Sequence, residues 1–524
     1  MRSRSVKSYK YFGVILVGAA LAIAGCGGSA SSSPGQHAAA ARGGTLTLGT
    51  AISNGSLDPA KANPGTDSVF LDPLYAPLMR YGPNGQLEGV LATSWRYLGV
   101  GYKTFQITLR SGVKFSDGSS VDAAAVVASI RHFYQTGATA GQWLAACHSV
   151  TAVSTLVVRI SCTQPDPELP RTLTDELLGG DIVAPESLAH PATLGTNPIG
   201  AGEYTLDTSE TVAGSTYTYV ANRLYFDQPA IHWNKLIIKV FTSPSTGLEA
   251  LRSGQIQWML ASDPTTMQAA QSSSGVTVAS SPLGFEGVEL ANRDPAGGNP
   301  LGNLHVRQAL EYAVNRPAIA KALFGQFGQA SDQVAIPSQP TAWDAAVNNY
   351  YPYDPAKAKA LLTAAGYPHG FTLNVEDQEA DAELTQAVIG YWQAIGVKAN
   401  VTTDSTTPGW INNALSRKFP VIGYGYGGLP MYLEAVNWFE PVANIYNPFA
   451  SSDPAILNAL KHAEAAPPSQ QDAAFQRVQA LGVQDAWYVG VTLFDVGLLH
   501  ASGVSAPKPN GGYVYNDDDI LPAS

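Results

Sequence analysis

Gly85-Gln-Leu-Glu-Gly-Val-Leu-Ala-Thr-Ser-Trp95, resuming at Phe105-Gln-Ile-Thr-Leu-Arg-Ser-Gly-Val-Lys-Phe-Ser-Asp-Gly118, is the stretch on which the fold turns. Phe105, Ile107 and Leu109 alternate with polar neighbours, the period-two pattern of a half-buried strand. Ser116-Asp117-Gly118 reads as a turn leading towards a helix, with no chemistry assigned to it. That helix runs over Val121–Tyr134, with Asp122 as its N-cap. Trp95 reads as core and not as a ligand contact.

Working outward, Thr45–Thr50 alternates leucine with threonine and predicts another strand. Asp354-Pro355 is a sharp helix start, a capping carboxylate followed by proline at the first helical position. The helix continues through Ala358, Leu361 and Leu362 to a stop at Gly366, and a strand follows over Phe371–Val375. Strands and helices alternate along the chain, so the class is mixed α/β. No repeat of 20–50 residues is visible, which argues against solenoids and propellers. A chain of 524 residues is too long for one hydrophobic core and predicts two or three domains.

Three further segments join the opening one. They are Asn197-Pro-Ile-Gly-Ala-Gly-Glu-Tyr204, Val306-Arg-Gln-Ala-Leu-Glu-Tyr-Ala-Val-Asn-Arg316 and Tyr353-Asp-Pro-Ala-Lys-Ala-Lys-Ala-Leu-Leu-Thr-Ala-Ala-Gly-Tyr367. In this order the four resemble the peptide/nickel family (family 5) of ABC-transporter solute-binding proteins, over about Gly44–Val496. The resemblance implies a two-lobed, periplasmic-binding-protein-like α/β fold of type II, in the large peptide-binding subclass. Lobe 1 would take residues 43–290, with an inserted subdomain at about 75–195, and the return segment 491–524. Lobe 2 would take 291–490. Two crossovers, near Val288–Asn292 and Val489–Phe494, would form the hinge. The implied function is capture of a peptide-like or other small organic solute and delivery to ABC permease subunits, by a monomer. A sensing or chaperone role on the same fold, and a cryptic hydrolase, are the alternatives.

The first residues carry an address. Arg2, Arg4, Lys7 and Lys10 precede an apolar run, Tyr11–Ala24, too short to span a bilayer comfortably. The run ends Leu21-Ala-Ile-Ala-Gly-Cys26, which resembles a lipobox. Residues 1–25 are then a signal peptide, Cys26 is lipidated, and residues 26–42 form a flexible tether of about 22 Å. This places the protein on the outer face of the cell membrane, lipid-anchored and facing the periplasm or exterior. Removing four basic residues leaves 26 basic against 41 acidic side chains, a net charge of −15. Such a chain, with no basic run, is a poor partner for nucleic acid.

Cys147 and Cys162 flank two short strand-like runs. A hairpin centred between Ser154 and Thr155 would set them opposite one another, so a disulfide is expected outside the cytoplasm. Two buried free thiols are the alternative.

Gly423-Tyr-Gly-Tyr-Gly-Gly428 satisfies G-x-G-x-x-G, yet Leu429-Pro430 follows where a dinucleotide fingerprint needs a helix among its glycines. It reads instead as a strand-end loop at the lobe interface, or as a glycine turn with core tyrosines. The ligand-facing positions implied by the resemblance are Asn54, Tyr424, Tyr426, Glu434 and Trp438. Peptide binders of the family commonly carry an aspartate in this loop, against the peptide's ammonium group. Val421–Leu433 has no carboxylate, and the nearest are Glu434 and Glu440. Weak binding of peptides with free N-termini is therefore expected, with a neutral or aromatic ligand stacking on Tyr424, Tyr426 or Trp438 preferred. No G-x-S-x-G, H-E-x-x-H or P-loop occurs and the nine histidines are scattered, so no catalytic residue, metal ligand or cofactor is assigned.

Overall fold

The computed structural model describes residues 43–522, apart from 65–66, 83–85, 137–143, 145, 148, 338–342, 428–430 and 506–518. Cys26, the signal segment and the tether lie outside the described residues.

One large mixed sheet runs through the molecule. Its strands lie in the order Lys398–Asp404, Thr372–Gln378, Val421–Gly427, Val276–Glu289, Tyr488–Ala501, Trp258–Ala261, Gly43–Thr50, Trp233–Val240, Thr216–Ala221 and Tyr204–Leu206. The two longest, Val276–Glu289 and Tyr488–Ala501, pair antiparallel from Val276↔Ala501 to Glu289↔Tyr488. Gly328–Ala330 also pairs with the second of them.

The first strand forms where the Leu46/Leu48 alternation predicts it, and both leucines are fully buried. They belong to a core with Phe70, Phe105, Ile107, Leu236 and Ile238 that serves the amino-terminal part. In the carboxy-terminal part the sheet has a core on each face. Along Val421–Gly427, Ile422 and Tyr424 enter one, with Trp438 and Trp487, while Val421 enters the other, with Val306, Val375 and Trp392. A strand buried on both faces reads as a near-continuous apolar run, as Tyr488–Leu493 does but for Thr492.

The opening motif folds as a separate four-stranded antiparallel sheet: Ala92–Tyr97, Thr104–Leu109, Val157–Ser161 and Ser149–Ser154. Trp95 packs partly buried against the amino-terminal core, as its core reading anticipates. Asp117 accepts hydrogen bonds from the amide and hydroxyl of Ser119, and Gly118 takes φ +89°, so the turn forms where it was read. Asp122 then caps the helix Ala123–Gln135 by accepting from the Ala125 amide. The hairpin pairs Ser149 with Ser161, one residue out of step with a pairing of Cys147 and Cys162. Their sulfurs nevertheless lie 1.98 Å apart.

Asp354 caps the helix Pro355–Ala364 through the Lys357 amide, and Gly366 ends it at φ +90°. That helix packs on Leu304–Tyr312, whose own motif ends in Arg316. Arg316 is a buried hub. Its guanidinium donates to the carbonyls of Gly490 and Tyr351, pairs with Glu311, and lies 2.8 Å from Asp332. One cation thus ties the helices to the second long strand. Removing it leaves two buried carboxylates uncompensated, which costs about 3–5 kcal/mol. Arg316→Met should lower the urea midpoint accordingly with an unchanged slope. An unaltered midpoint would show the hub to be dispensable.

Candidate functional site

Thr372–Gln378 lies parallel to both Lys398–Asp404 and Val421–Gly427, so the carboxyl ends of all three strands gather at one edge. Ligands of open α/β sheets bind outside that edge. The glycine-rich segment ends there. It is a strand up to Gly427, paired with Val276–Glu289 from Glu289↔Ile422 to Gly284↔Gly427, and not the loop that the sequence reading placed from Gly423 onward. After the undescribed residues 428–430 the chain enters the helix Met431–Phe439.

Strand alternation divides this segment's side chains between two faces. On one face stand Tyr424 and Tyr426, with ring centroids 6.0 Å apart. Trp438 stacks on Tyr424 at 5.4 Å and donates its indole N–H to the Tyr426 hydroxyl. Tyr446 and Tyr488 complete the aromatic group. Tyr424 and Trp438 are buried in the core, and Tyr426 is partly buried. Of the aromatic positions proposed to stack on a ligand, the structure leaves Tyr426 alone with partial access.

Glu434, in the first turn of Met431–Phe439, is 0% exposed. One carboxyl oxygen accepts from Gln479, whose own oxygen accepts from the Tyr488 hydroxyl. Burial pushes Glu434 up to about 8, against the downward pull of the Gln479 bond and of Arg171. Asn54 is half-buried and accepts from the Ser56 amide, a local turn bond.

On the opposite face the glycines make room for acids. A Cβ at Gly423 would come within 2.5 Å of Asp377 and 2.3 Å of Thr385, and one at Gly425 within 2.7 Å of Glu286. The Gly425 amide donates to Asp381, and the Thr385 hydroxyl donates to Asp377. Burial, then Asp381 and Asp377, raise Glu286 to about 8. Burial is also the main cause that lifts Asp377 and Asp381 to about 6. The glycine segment itself carries no carboxylate. These three arrive from neighbouring strands and a helix start. The one local signal is Glu376-Asp377, two acids where a strand should end.

Across from this edge lies a segment of the amino-terminal part. The Tyr432 hydroxyl donates to the Pro165 carbonyl, and the Tyr102 hydroxyl to that of Ala466. Arg171 pairs with Glu176 through two hydrogen bonds of 2.5 and 2.7 Å, both side chains being largely buried. Asp166 is raised to about 7 by burial and then by Glu168. The two parts therefore face one another through polar groups held by residues 165–176 and 431–439.

Residues 86–443 match the family of bacterial extracellular solute-binding proteins, family 5 Middle. The chain is 27% identical over 385 residues to the glutathione-binding protein GsiB of Salmonella paratyphi A, covering 72% of each. The periplasmic binding protein DppA from Helicobacter pylori, solved with the peptide STSA, superposes with a TM-score of 0.75 at 20% identity, over 92% of this chain and 99% of that one. HbpA2 from Haemophilus parasuis gives 0.78 at 20% identity, over 92% and 100%. The fold is thus the two-lobed α/β fold of periplasmic binding proteins.

Glu434 makes stability depend on pH. In the folded chain it keeps its proton up to about pH 8, whereas the unfolded chain releases it near ~4.3. Between these values the folded state binds more protons, so the stabilisation is complete below the lower value and is lost as pH rises through the upper. Glu434→Gln keeps the bond to Gln479 without the titration. Its urea midpoint should match the wild type at pH 4.5 and exceed it at pH 8.5, with a slope difference of up to about 1.4 kcal/mol per pH unit. Parallel pH profiles would refute the assignment.

Proposed function

The chain belongs to the bacterial extracellular solute-binding proteins of family 5, and from that premise we propose that it is the substrate-binding component of an ABC importer. It captures a peptide-like or other small organic solute between its lobes and presents the closed form to a permease. The observation that carries this reading is the pair of long strands, Val276–Glu289 and Tyr488–Ala501, which pass side by side between two sets of cores. Two covalent crossings allow the lobes to close and fix the direction in which they do so. In this reading lobe 1 comprises 43–290 and 491–524, lobe 2 comprises 291–490, and the protein binds its solute without turning it over.

The same reading puts the protein outside the cytoplasm on a lipid anchor at Cys26, tethered by residues 26–42. Among the described residues no helix is long and apolar enough to cross a membrane. The sulfur–sulfur distance of Cys147 and Cys162 supports a disulfide there, in keeping with an oxidising compartment.

Three measurements test this. Small-angle scattering with a panel of short peptides and small organic solutes should show a smaller radius of gyration for whichever solute binds. An unchanged radius at saturation would mean a static scaffold. Cys26→Ala should move the protein from the membrane to the soluble extracytoplasmic fraction, and membrane retention would remove the anchor. Alkylation of the unfolded chain without reductant should leave Cys147 and Cys162 unmodified, and two added alkyl groups on them would remove the bridge.

A further inference from the structure

Lys398–Asp404 is the end strand of the large sheet in the carboxy-terminal part, and among the described residues no strand pairs with its outer side. An uncovered edge offers free backbone donors and acceptors to another chain, and folds commonly blunt it with proline, a bulge or a very short strand. The opposite end of this sheet, Tyr204–Leu206, is only three residues long. Lys398–Asp404 has seven residues and no proline, and its register with Thr372–Gln378 runs unbroken from Thr372↔Lys398 to Gln378↔Asp404. Its charges stand only at the two ends, with Ala399-Asn-Val-Thr-Thr403 between them. Lys398, Asn400, Thr402 and Thr403 are exposed.

One bond fixes the direction of the backbone groups. The Lys398 amide donates to the Phe371 carbonyl, on the side of Thr372–Gln378. Successive residues of a strand turn their N–H and C=O groups to opposite sides, so Ala399, Val401 and Thr403 present both groups outward. A two-fold axis at Val401 would pair two such edges antiparallel. Val401 would meet the partner's Val401, and Ala399 the partner's Thr403, each pair exchanging both N–H···O bonds. The pairs between them exchange no backbone bonds and bring their side chains closer together. There Asn400 would meet the partner's Thr402, and Lys398 the partner's Asp404, on one face of the sheet. Lysine at an edge ordinarily repels a second strand, but this register sets each copy's cation against the other's anion, twice by symmetry. Asp404 keeps one carboxyl oxygen on Asn413 within its own chain.

We infer that this edge joins two copies of the chain, Lys398–Asp404 pairing with itself about Val401 to make one continuous sheet. The surroundings fit a second copy. Past the paired residues the partner's Ser405 and Thr406 would run beside Val397 and Gly396. An open depression of about 400 Å³ lies there, lined by Thr372, Gln393 and Gly396 together with Lys398–Asn400. Ser405 and Thr406 are small and exposed, so a turn of their size can enter it. The edge is separated from the ribbon of long strands by Thr372–Gln378 and Val421–Gly427, which leaves the ribbon uncovered. The inference stands apart from solute capture and departs from the monomer that the family resemblance implies. Pairing over seven residues is a small interface, so the dissociation constant should be about 10–100 µM.

The test is sedimentation equilibrium of the full-length protein in density-matched detergent, over concentrations that span this range. The wild type should show a monomer–dimer equilibrium. K398E and D404K should each weaken it about tenfold or more by setting like charges opposite one another. The double variant K398E/D404K restores opposite signs and should regain most of the lost affinity. T403P removes an outward N–H and should weaken the dimer while keeping the wild-type urea midpoint. In membranes, V401C treated with diamide should form a covalent dimer that the wild type does not, because the axial pair sets its Cα atoms about 5.5 Å apart. T403P and V401C carry the test if D404K does not fold. A wild type that stays monomeric throughout, a dimer unchanged by K398E and T403P, or the absence of a V401C cross-link would overturn the inference and leave solute capture standing.

Discussion

The architecture depends on the pairing of Val276–Glu289 with Tyr488–Ala501. Each strand is fourteen residues long, and each belongs at one end to the amino-terminal core and at the other to the carboxy-terminal cores. Where it crosses the cores such a strand admits neighbours closely. Gly490 meets the backbone of Ser331 and Asp332 where a Cβ would come within 2.8 Å, and Gly284 lies under the Phe494 ring. The pairing is interrupted twice, between Pro282 and Gly284 and between Glu286 and Gly287. Extra residues there add local twist and bend the ribbon. The connection between the two parts is thus a bent antiparallel ribbon, and the carboxylate of Glu286 sits at its second irregularity.

Much of this was legible because it is local. Asp122 and Asp354 announce helices that their side chains do cap, since a short acceptor followed by an apolar period has few other uses. The alternation at Phe105–Leu109 gives a strand with those residues inward. The glycine-rich run was harder. Glycine is a poor strand former, so Gly423–Gly428 read as a loop. The placement of Gly423–Gly427 in a strand follows from contacts that no local pattern displays, because Thr385, Asp377 and Glu286 occupy the space that Cβ atoms would fill. The strand before it was cut short for a similar reason. Apolar alternation ends at Val375, while parallel pairing with Lys398–Asp404 carries the strand on to Gln378 through Glu376 and Asp377.

The acids over this strand were not legible for the same reason, since they come from other segments. Absence of an acid between Val421 and Leu433 is true of the sequence and says nothing about the surrounding space. Sheet pairing brings Glu286 opposite Gly425, and the turn after the parallel strand brings Asp381 to its amide. Tyr424 and Trp438, flat faces in the sequence, spend those faces on one another. What glycine contributes here is the missing side chain, which lets carboxylates from three elements stand over one strand.

Buried acids in this chain differ in how their charge is compensated. Glu311 and Asp332 surround Arg316, Asp485 pairs with Arg307, and Glu176 with Arg171. In these groups each acid lies against a cation, Glu311 and Asp332 sharing Arg316, and removal of the cation would harm folding. Glu286, Asp377 and Asp381 are open. Burial is the main cause that raises all three, with Asp381 and Asp377 adding to it at Glu286 and Asp377 at Asp381. The open group sits at the carboxyl edge of the parallel strands, beside the ribbon that joins the lobes.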